Sequence, residues 1–182
     1  MIKLVVFDLD GVLVDAREIH YEALNAALSD IDKKYIIGRQ EHLSLYDGLS
    51  TTKKLKMLTQ NKNLPLEFHD AVWKLKQKKT VDIIDNFSID RRMRDILKKL
   101  KNDGYMVACA TNSIRKTAKL QLIRKGFFEY IDFLYSNQDV TKPKPSSEIY
   151  LRCMLRANVD PNETIIIEDS HHGRKAAINS GG

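Results

Sequence analysis

The sequence predicts an α/β protein: a Rossmann-like, doubly wound parallel sheet that carries an inserted small α-helical cap. Three observations lead there. Residues 2–7 (IKLVVF) are apolar on both faces, as a strand buried in a parallel sheet must be. From about residue 89 onward, short apolar runs alternate with amphipathic helical stretches, the pattern of β–α units. Between these regions, over 15–83, the pattern is helical and polar with no strand. The expected organisation is a core from 1–14 and 84–182, with a helical cap over 15–83.

The elements follow in order. Residues 16–30 have helical spacing, with Ile19, Ala23, Ala26 and Ala27 on one stripe. A loop around Gly48 spans 46–50, and Thr51 or Thr52 is the expected cap of a helix carrying Leu55 and Leu58. Pro65 opens another helix, running through Trp73 and Leu75. Residues 89–102 read as a helix with Ile89, Met93, Ile96, Leu97 and Leu100 inward, and Gly104 as its terminator. Three further strands are expected at 105–110, 133–135 and 165–167. Helices are expected at about 114–125, at 147–157 capped by Ser146, and at about 173–180.

Composition narrows the function classes. Of 182 residues, 43% are hydrophobic and 30% charged, which supports a buried core and argues against disorder. No apolar run approaches the ~20 residues that span a bilayer. The run Ile2 to Phe7 is broken by Lys3 and closed by Asp8, too short for a signal peptide. Cys109 and Cys153 sit in apolar segments and read as reduced core thiols of a cytoplasmic chain. No paired Cys/His spacing supports a zinc site.

The net charge of +6 and the pI of about 9.2 favour anionic partners. Lys53, Lys54, Lys56, Lys74, Lys76, Lys78, Lys79, Lys98, Lys99 and Lys101 fall in separate segments without interleaved aromatics, so they read as solvated helix faces. Neither nucleic acid nor a membrane is expected as a partner.

In such a sheet, ligands bind beyond the carboxyl ends of the strands. The chemistry-bearing residues fall there. Strand one ends in Asp8-Leu9-Asp10-Gly11, strand two in Thr111-Asn112-Ser113, and strand four in Glu168-Asp169-Ser170; the loop after strand three carries Lys142. Carboxylates crowded at one edge are unfavourable unless a cation joins them, and an all-oxygen set suits Mg²⁺. Thr111 and Asn112, near a helix start, complete an anion cradle. Together these residues describe phosphoryl transfer with a carboxylate nucleophile. Each has a plainer reading: strand-end acids in solvent, one more surface lysine, a threonine that only caps a helix.

The four segments resemble, in order, the four motifs of the haloacid dehalogenase-like superfamily: Asp8 to Asp15, Thr111-Asn112-Ser113, Lys142-Pro143-Lys144-Pro145, and Glu168-Asp169-Ser170 with Gly173 and Ala176-Ala177. The insert resembles the helical cap of the subgroup holding phosphoglycolate phosphatases and β-phosphoglucomutase. The resemblance implies that Asp8 is the nucleophile and Asp10 the acid/base. It implies that Mg²⁺ is held by the Asp8 and Asp169 side chains and the Asp10 carbonyl, with Glu168 a ligand or its supporting partner. Thr111, the Asn112 amide and Lys142 would hold the phosphoryl oxygens, while Lys144 would face solvent.

The expected activity is hydrolysis of a small phosphorylated metabolite, in a monomer or weak homodimer. The alternatives are a sugar-phosphate mutase or a non-catalytic phosphometabolite- or partner-binding domain. Asp10 argues against both a dehalogenase and a phosphonate hydrolase. His20, on the first cap helix, is a substrate-contact candidate; its plainer reading is a satisfied or solvated histidine. The loop Gly48-Leu49-Ser50 resembles the cap loop that, in the mutase, carries a lysine before the glycine and an arginine after it. Asp47 and Thr51 stand at those places here, which favours a phosphatase. His171 and His172 have no partner spacing and read as surface residues. Family members usually continue beyond the segment like 177–182 into another strand and helix; either this chain is trimmed at Gly182, or the protein ends early or continues into another domain, and the fourth strand is expected to have an unpaired edge.

Overall fold

The structure, a computed structural model, describes residues 1–46 and 49–182. The expectations for Asp47 and Gly48 lie outside the described residues. The chain forms two compact units: Met1–Asp15 with Phe87–Gly182, and Ala16–Asn86. Its strands are β1 (Leu4–Phe7), β2 (Met106–Ala110), β3 (Phe133–Tyr135) and β4 (Thr164–Ile167), all in the first unit. Helices α1 (Arg17–Ser29), α2 (Arg39–Glu41), α3 (Thr51–Lys62) and α4 (His69–Asp85) belong to the second unit; α5 (Arg91–Asn102), α6 (Arg115–Lys125), α7 (Glu148–Ala157) and α8 (His171–Ser180) belong to the first.

In the first unit the four strands form one parallel sheet in the order β3-β2-β1-β4. Strand β1 lies between two neighbours and is buried on both faces. Its continuous apolar run is therefore the physical requirement of that place. Leu4 and Val6 pack with Ala108, Ala110 and the α7 residues Ile149, Tyr150, Cys153 and Met154. Val5, Phe7, Val107 and Cys109 alternate with them and are also buried. Both cysteines are free thiols in this interior.

The register positions the site. Phe7 lies opposite Cys109 on one side and Ile167 on the other, so β1 and β4 end level and β2 runs one residue further, to Ala110. Asp8, Thr111 and Glu168 follow at one edge; the Asp8 amide donates to Ile167 O at 3.0 Å, and the Thr111 amide to Tyr135 O at 3.0 Å.

Local details depart from the sequence pattern. On α5, Leu97 is buried, but Ile89 and Ile96 are 54% and 44% exposed rather than inward. Met93, Leu97 and Leu100 are spaced by four and three; Ile96 is one residue off that stripe, and Ile89 precedes the Asp90 cap. Helix α3 is capped by Ser50, whose Oγ accepts from Lys53 N at 3.3 Å, because Ser50 is the extended residue while Thr51 begins the helix. Ser147, not Ser146, is the capping position of α7, although Ser146 Oγ accepts from Glu148 N at 3.3 Å. Helix α8 starts earlier than expected, at His171, with Ser170 Oγ accepting from Gly173 N at 3.0 Å.

The second unit has its own core. Leu24 and Leu28 of α1, Leu55 and Leu58 of α3 and Val72 of α4 enclose Tyr35, Ile37 and Tyr46. Asn25 ties the following segment to α1, donating from Nδ2 to Ile37 O at 2.9 Å and accepting at Oδ1 from Ile37 N at 2.8 Å. A π-helical turn, His42–Tyr46, follows α2 and was not legible from periodicity. Two lysines expected on solvated faces are buried here: Lys54 is 6% exposed and Lys76 is 8% exposed. Among the described residues, no helix is long and apolar enough to cross a membrane.

Candidate active site

The carboxyl edge of the sheet is built within the first unit. Asp8 follows β1 and is 6% exposed. The chain then turns sharply: Gly11 has φ +100° and donates from its amide to Val14 O at 2.7 Å. A side chain at Gly11 would be strained by that φ, and its Cβ would lie 2.1 Å from Asp169 Oδ2. Gly173 is open for the same kind of reason, since a Cβ there would fall 1.7 Å from Glu168 Oε1. Two glycines thus make room for two carboxylates.

The lysine of this edge is Lys144, which corrects the expectation for Lys142. Lys144 is 6% exposed, and its Nζ donates to Asp8 Oδ1 at 2.6 Å, to Glu168 Oε1 at 2.6 Å and to Ala110 O at 2.8 Å. Lys142 is exposed. The reason lies in two side chains that hold the loop's backbone. Asn112 Oδ1 accepts from Lys144 N at 3.0 Å, and Asn112 Nδ2 donates to Lys144 O at 3.2 Å, fixing Lys144 beside β2. Glu148 accepts from Thr141 N at 3.0 Å and Lys142 N at 2.9 Å, fixing those residues on the start of α7.

Asp10 is held from the β2 end. Ser113 Oγ donates to Asp10 Oδ2 at 2.5 Å, with Thr111 Oγ1 at 3.4 Å from the same oxygen. Thr111 is fully buried, and its Oγ1 accepts from Ser113 N at 3.0 Å. Ser113 is a contributor that the sequence reading passed over; its signal was its place in the same strand-end triplet. Glu168 accepts at Oε1 from Lys144 and from Tyr150 Oη at 3.1 Å, and at Oε2 from Ser170 N and Oγ, each at 3.0 Å. Tyr150 also went unread; its signal was a polar aromatic on the buried stripe of α7.

These surroundings set the charges. Burial is the largest influence on Asp8 and, with Glu168 and Asp10 nearby, pushes its pKa up to about 7 against the opposing pull of Lys144. Burial opposes the charge on Lys144, but Asp8, Tyr150 and Glu168 hold its pKa above the ordinary lysine value. Burial likewise works against ionised Glu168, yet Lys144 and Ser170 keep its pKa below normal. Burial pushes the Tyr150 phenol well up, so it stays a neutral donor.

One oxygen from each of Asp8, Glu168 and Asp169 lies within 4.8 Å of the others. The donors are all hard oxygens, and the raised Asp8 pKa reflects carboxylates crowded in a desolvated place. Both features fit a small divalent cation.

His20 lies in the second unit, with Nδ1 3.3 Å from Nζ of buried Lys76. Lys76 belongs to a stripe on α4 spaced by four, Val72, Lys76, Thr80 and Ile84, and that spacing was its signal. His171 and His172 are exposed, their ring centroids 6.0 Å apart.

Fold and edge together define a Rossmann-like α/β protein with a carboxylate-and-lysine site at the carboxyl end of its sheet. The haloacid dehalogenase-like hydrolase profile matches residues 5–182, and the chain belongs to that family. It is 28% identical over 182 residues to a phosphorylated carbohydrates phosphatase from Thermotoga maritima, covering 97% of this chain and 81% of that one. Among solved structures, CbbY from Rhodobacter sphaeroides in complex with xylulose-1,5-bisphosphate superposes with a TM-score of 0.86 at 22% identity, covering 100% of this chain and 84% of that one. A β-phosphoglucomutase from Clostridium difficile gives a TM-score of 0.82 at 26% identity, covering 100% and 82%.

Proposed function

We propose that the protein is a phosphomonoester hydrolase acting on a small phosphorylated metabolite through an aspartyl-phosphate on Asp8. The observation that carries this reading is the buried Lys144, 2.6 Å from both Asp8 and Glu168 at the sheet edge. It supplies fixed positive charge beside the candidate nucleophile, where a phosphoryl group would bring its own negative charge.

An Asp8 carboxylate oxygen attacks phosphorus while the ester P–O bond breaks. Asp10, as the carboxylic acid, gives its proton to the departing oxygen. Water then attacks the phosphoryl group, Asp10 takes up a proton from it, and the bond to Asp8 breaks to release phosphate. Ser113 and Thr111 orient Asp10 for both transfers. Lys144, Thr111 and the Asn112 amide are the proposed holders of the phosphoryl oxygens. Asp8 and Asp169, the Asp10 carbonyl and Glu168 would hold Mg²⁺, which supplies charge neutralisation for the phosphoryl oxygens when bound. His20, in the second unit, is proposed as a substrate-contact residue. The Thermotoga relative's name supports a phosphorylated carbohydrate as that substrate.

The test is phosphate release from p-nitrophenyl phosphate with and without Mg²⁺. We expect Mg²⁺-dependent turnover in the wild type, none above background in Asp8→Asn, and an unchanged circular dichroism spectrum. Near wild-type turnover in Asp8→Asn would exclude the covalent route. The likeness to β-phosphoglucomutase favours a second reading, sugar-phosphate isomerisation. Incubation with β-glucose 1-phosphate and a bisphosphate primer separates the two, since isomerisation faster than phosphate release establishes the mutase.

A further inference from the structure

Tyr150 is a full aromatic side chain with no exposure, on the α7 face that packs against the sheet. Phenylalanine would fill that place without desolvating a hydroxyl, and a buried hydroxyl is costly unless it has a partner. The partner of the Tyr150 hydroxyl is Glu168 Oε1, at 3.1 Å. The ring also carries a charge on its face: Lys144 Nζ lies 4.8 Å from its centroid.

Glu168 receives four donor contacts in all, two on each oxygen, from Lys144, Tyr150 and Ser170. Donors on both oxygens hold the carboxylate in one orientation. Three of these contacts come from groups with other duties. Lys144 also binds Asp8, and Ser170 also caps α8. The Tyr150 hydroxyl also interacts with Lys144, itself a donor to Glu168, while its own acceptor is the Glu168 carboxylate.

We propose that Tyr150 is a positioning residue for the cation site: its hydroxyl fixes Glu168, and the Glu168 carboxylate then stands correctly beside Asp8 and Asp169. This rests on the reading above that these carboxylates hold a divalent ion. Loss of such an outer partner costs about 10–100-fold in metal affinity or activity in other sites.

The measurement is Mn²⁺ binding to the metal-free protein, read from the free-ion electron paramagnetic resonance signal. Tyr150→Phe keeps the ring beneath Lys144 and removes only the hydroxyl. We expect about tenfold weaker Mn²⁺ binding with an unchanged thermal midpoint. Glu168→Gln weakens binding too, and adding Tyr150→Phe to it gives no further loss, because the tyrosine acts through that carboxylate. Binding within about twofold of wild type in Tyr150→Phe, or fully additive losses in the double variant, overturns the proposal. Wild-type protein that bound no Mn²⁺ would overturn it as well, together with the cation site. Hydrolysis is scored apart: a wild type that binds Mn²⁺ but releases no phosphate sinks only the proposed activity. A Tyr150→Phe variant that binds like wild type, in a protein that does hydrolyse, sinks only the positioning role.

Discussion

The two units each bury lysine, and they do so in different ways. At the sheet edge, Lys144 is surrounded by opposite charge, with two carboxylates at 2.6 Å and a carbonyl at 2.8 Å. In the helical unit, Lys76 sits in an otherwise apolar or hydroxylic stripe of α4, next to the imidazole of His20. The first arrangement is supplied by loops and strand ends from widely separated parts of the chain. The second arises on helix faces. Strand ends gathered at one edge impose a common geometry on whatever follows them, so the edge is suited to a chemical group that every substrate shares. Helix faces accept substitutions one at a time, which suits recognition of the part that differs.

The largest expected effect tests the sheet edge. Lys144→Ala leaves two buried carboxylates facing each other without their cation. Breaking a buried pair in this way costs about 3–5 kcal/mol, and losing fixed charge beside the phosphoryl group costs about 10²-fold or more in kcat/KM. Lys142→Ala, two residues away and exposed, is expected to change stability by less than about 0.5 kcal/mol and leave kcat/KM near wild type. Urea unfolding and p-nitrophenyl phosphate hydrolysis measure both. Equal effects at the two positions would show that the loop's backbone anchors do not select the lysine.

This pair of lysines also marks how far the sequence could be read. Asp8, Thr111 and Glu168 were legible because an apolar run that stops at a polar residue locates a strand end, and the α/β rule gathers those ends at one edge. The segment Lys142-Pro143-Lys144-Pro145 offers two lysines, each followed by proline. Local pattern cannot separate them. What separates them is Asn112, 32 residues earlier in the chain, and Glu148 on the next helix. The burial of Lys76 was hidden by its charge, although the four-residue spacing from Val72 to Ile84 was in plain view. The exposure of Ile96 shows the converse: hydrophobicity placed it inward, while its angular position on α5 placed it outside.

A middle-sized effect sharpens the contrast from the helical side. Lys76→Met keeps the length of the stem and removes a buried charge. Removing one member of a buried polar contact leaves the other without its partner, so the melting temperature should fall modestly, by less than in Lys144→Ala. If Lys76 serves recognition, KM rises for the natural substrate while p-nitrophenyl phosphate turnover changes little. Destabilisation as deep as that of Lys144→Ala would make Lys76 a structural cation and erase the difference between the two units.

The smallest expected effect concerns the loop that chooses between the lysines. Glu148 accepts from the amides of Thr141 and Lys142 and from Arg152 Nη2 at 2.9 Å; those backbone donors foremost, with Arg152, pull its pKa down to about 2 from 4.5. A carboxylate whose pKa is lowered by folding favours the folded state when ionised. Its contribution is therefore complete above about pH 4.5 and is lost as pH falls through about 2. The side chain lies at the surface, so solvent screens the effect and a modest change is expected. Amide hydrogen exchange reads it directly. Thr141 and Lys142 should be more protected in the wild type than in Glu148→Gln at pH 6, and the two proteins should converge toward pH 2. A glutamine variant equally protected at pH 6 would mean that charge is not what holds these amides. The anchoring of Lys144 would then rest on Asn112 alone, and Asn112→Ala would be expected to reproduce the loss of activity expected on removing the lysine itself.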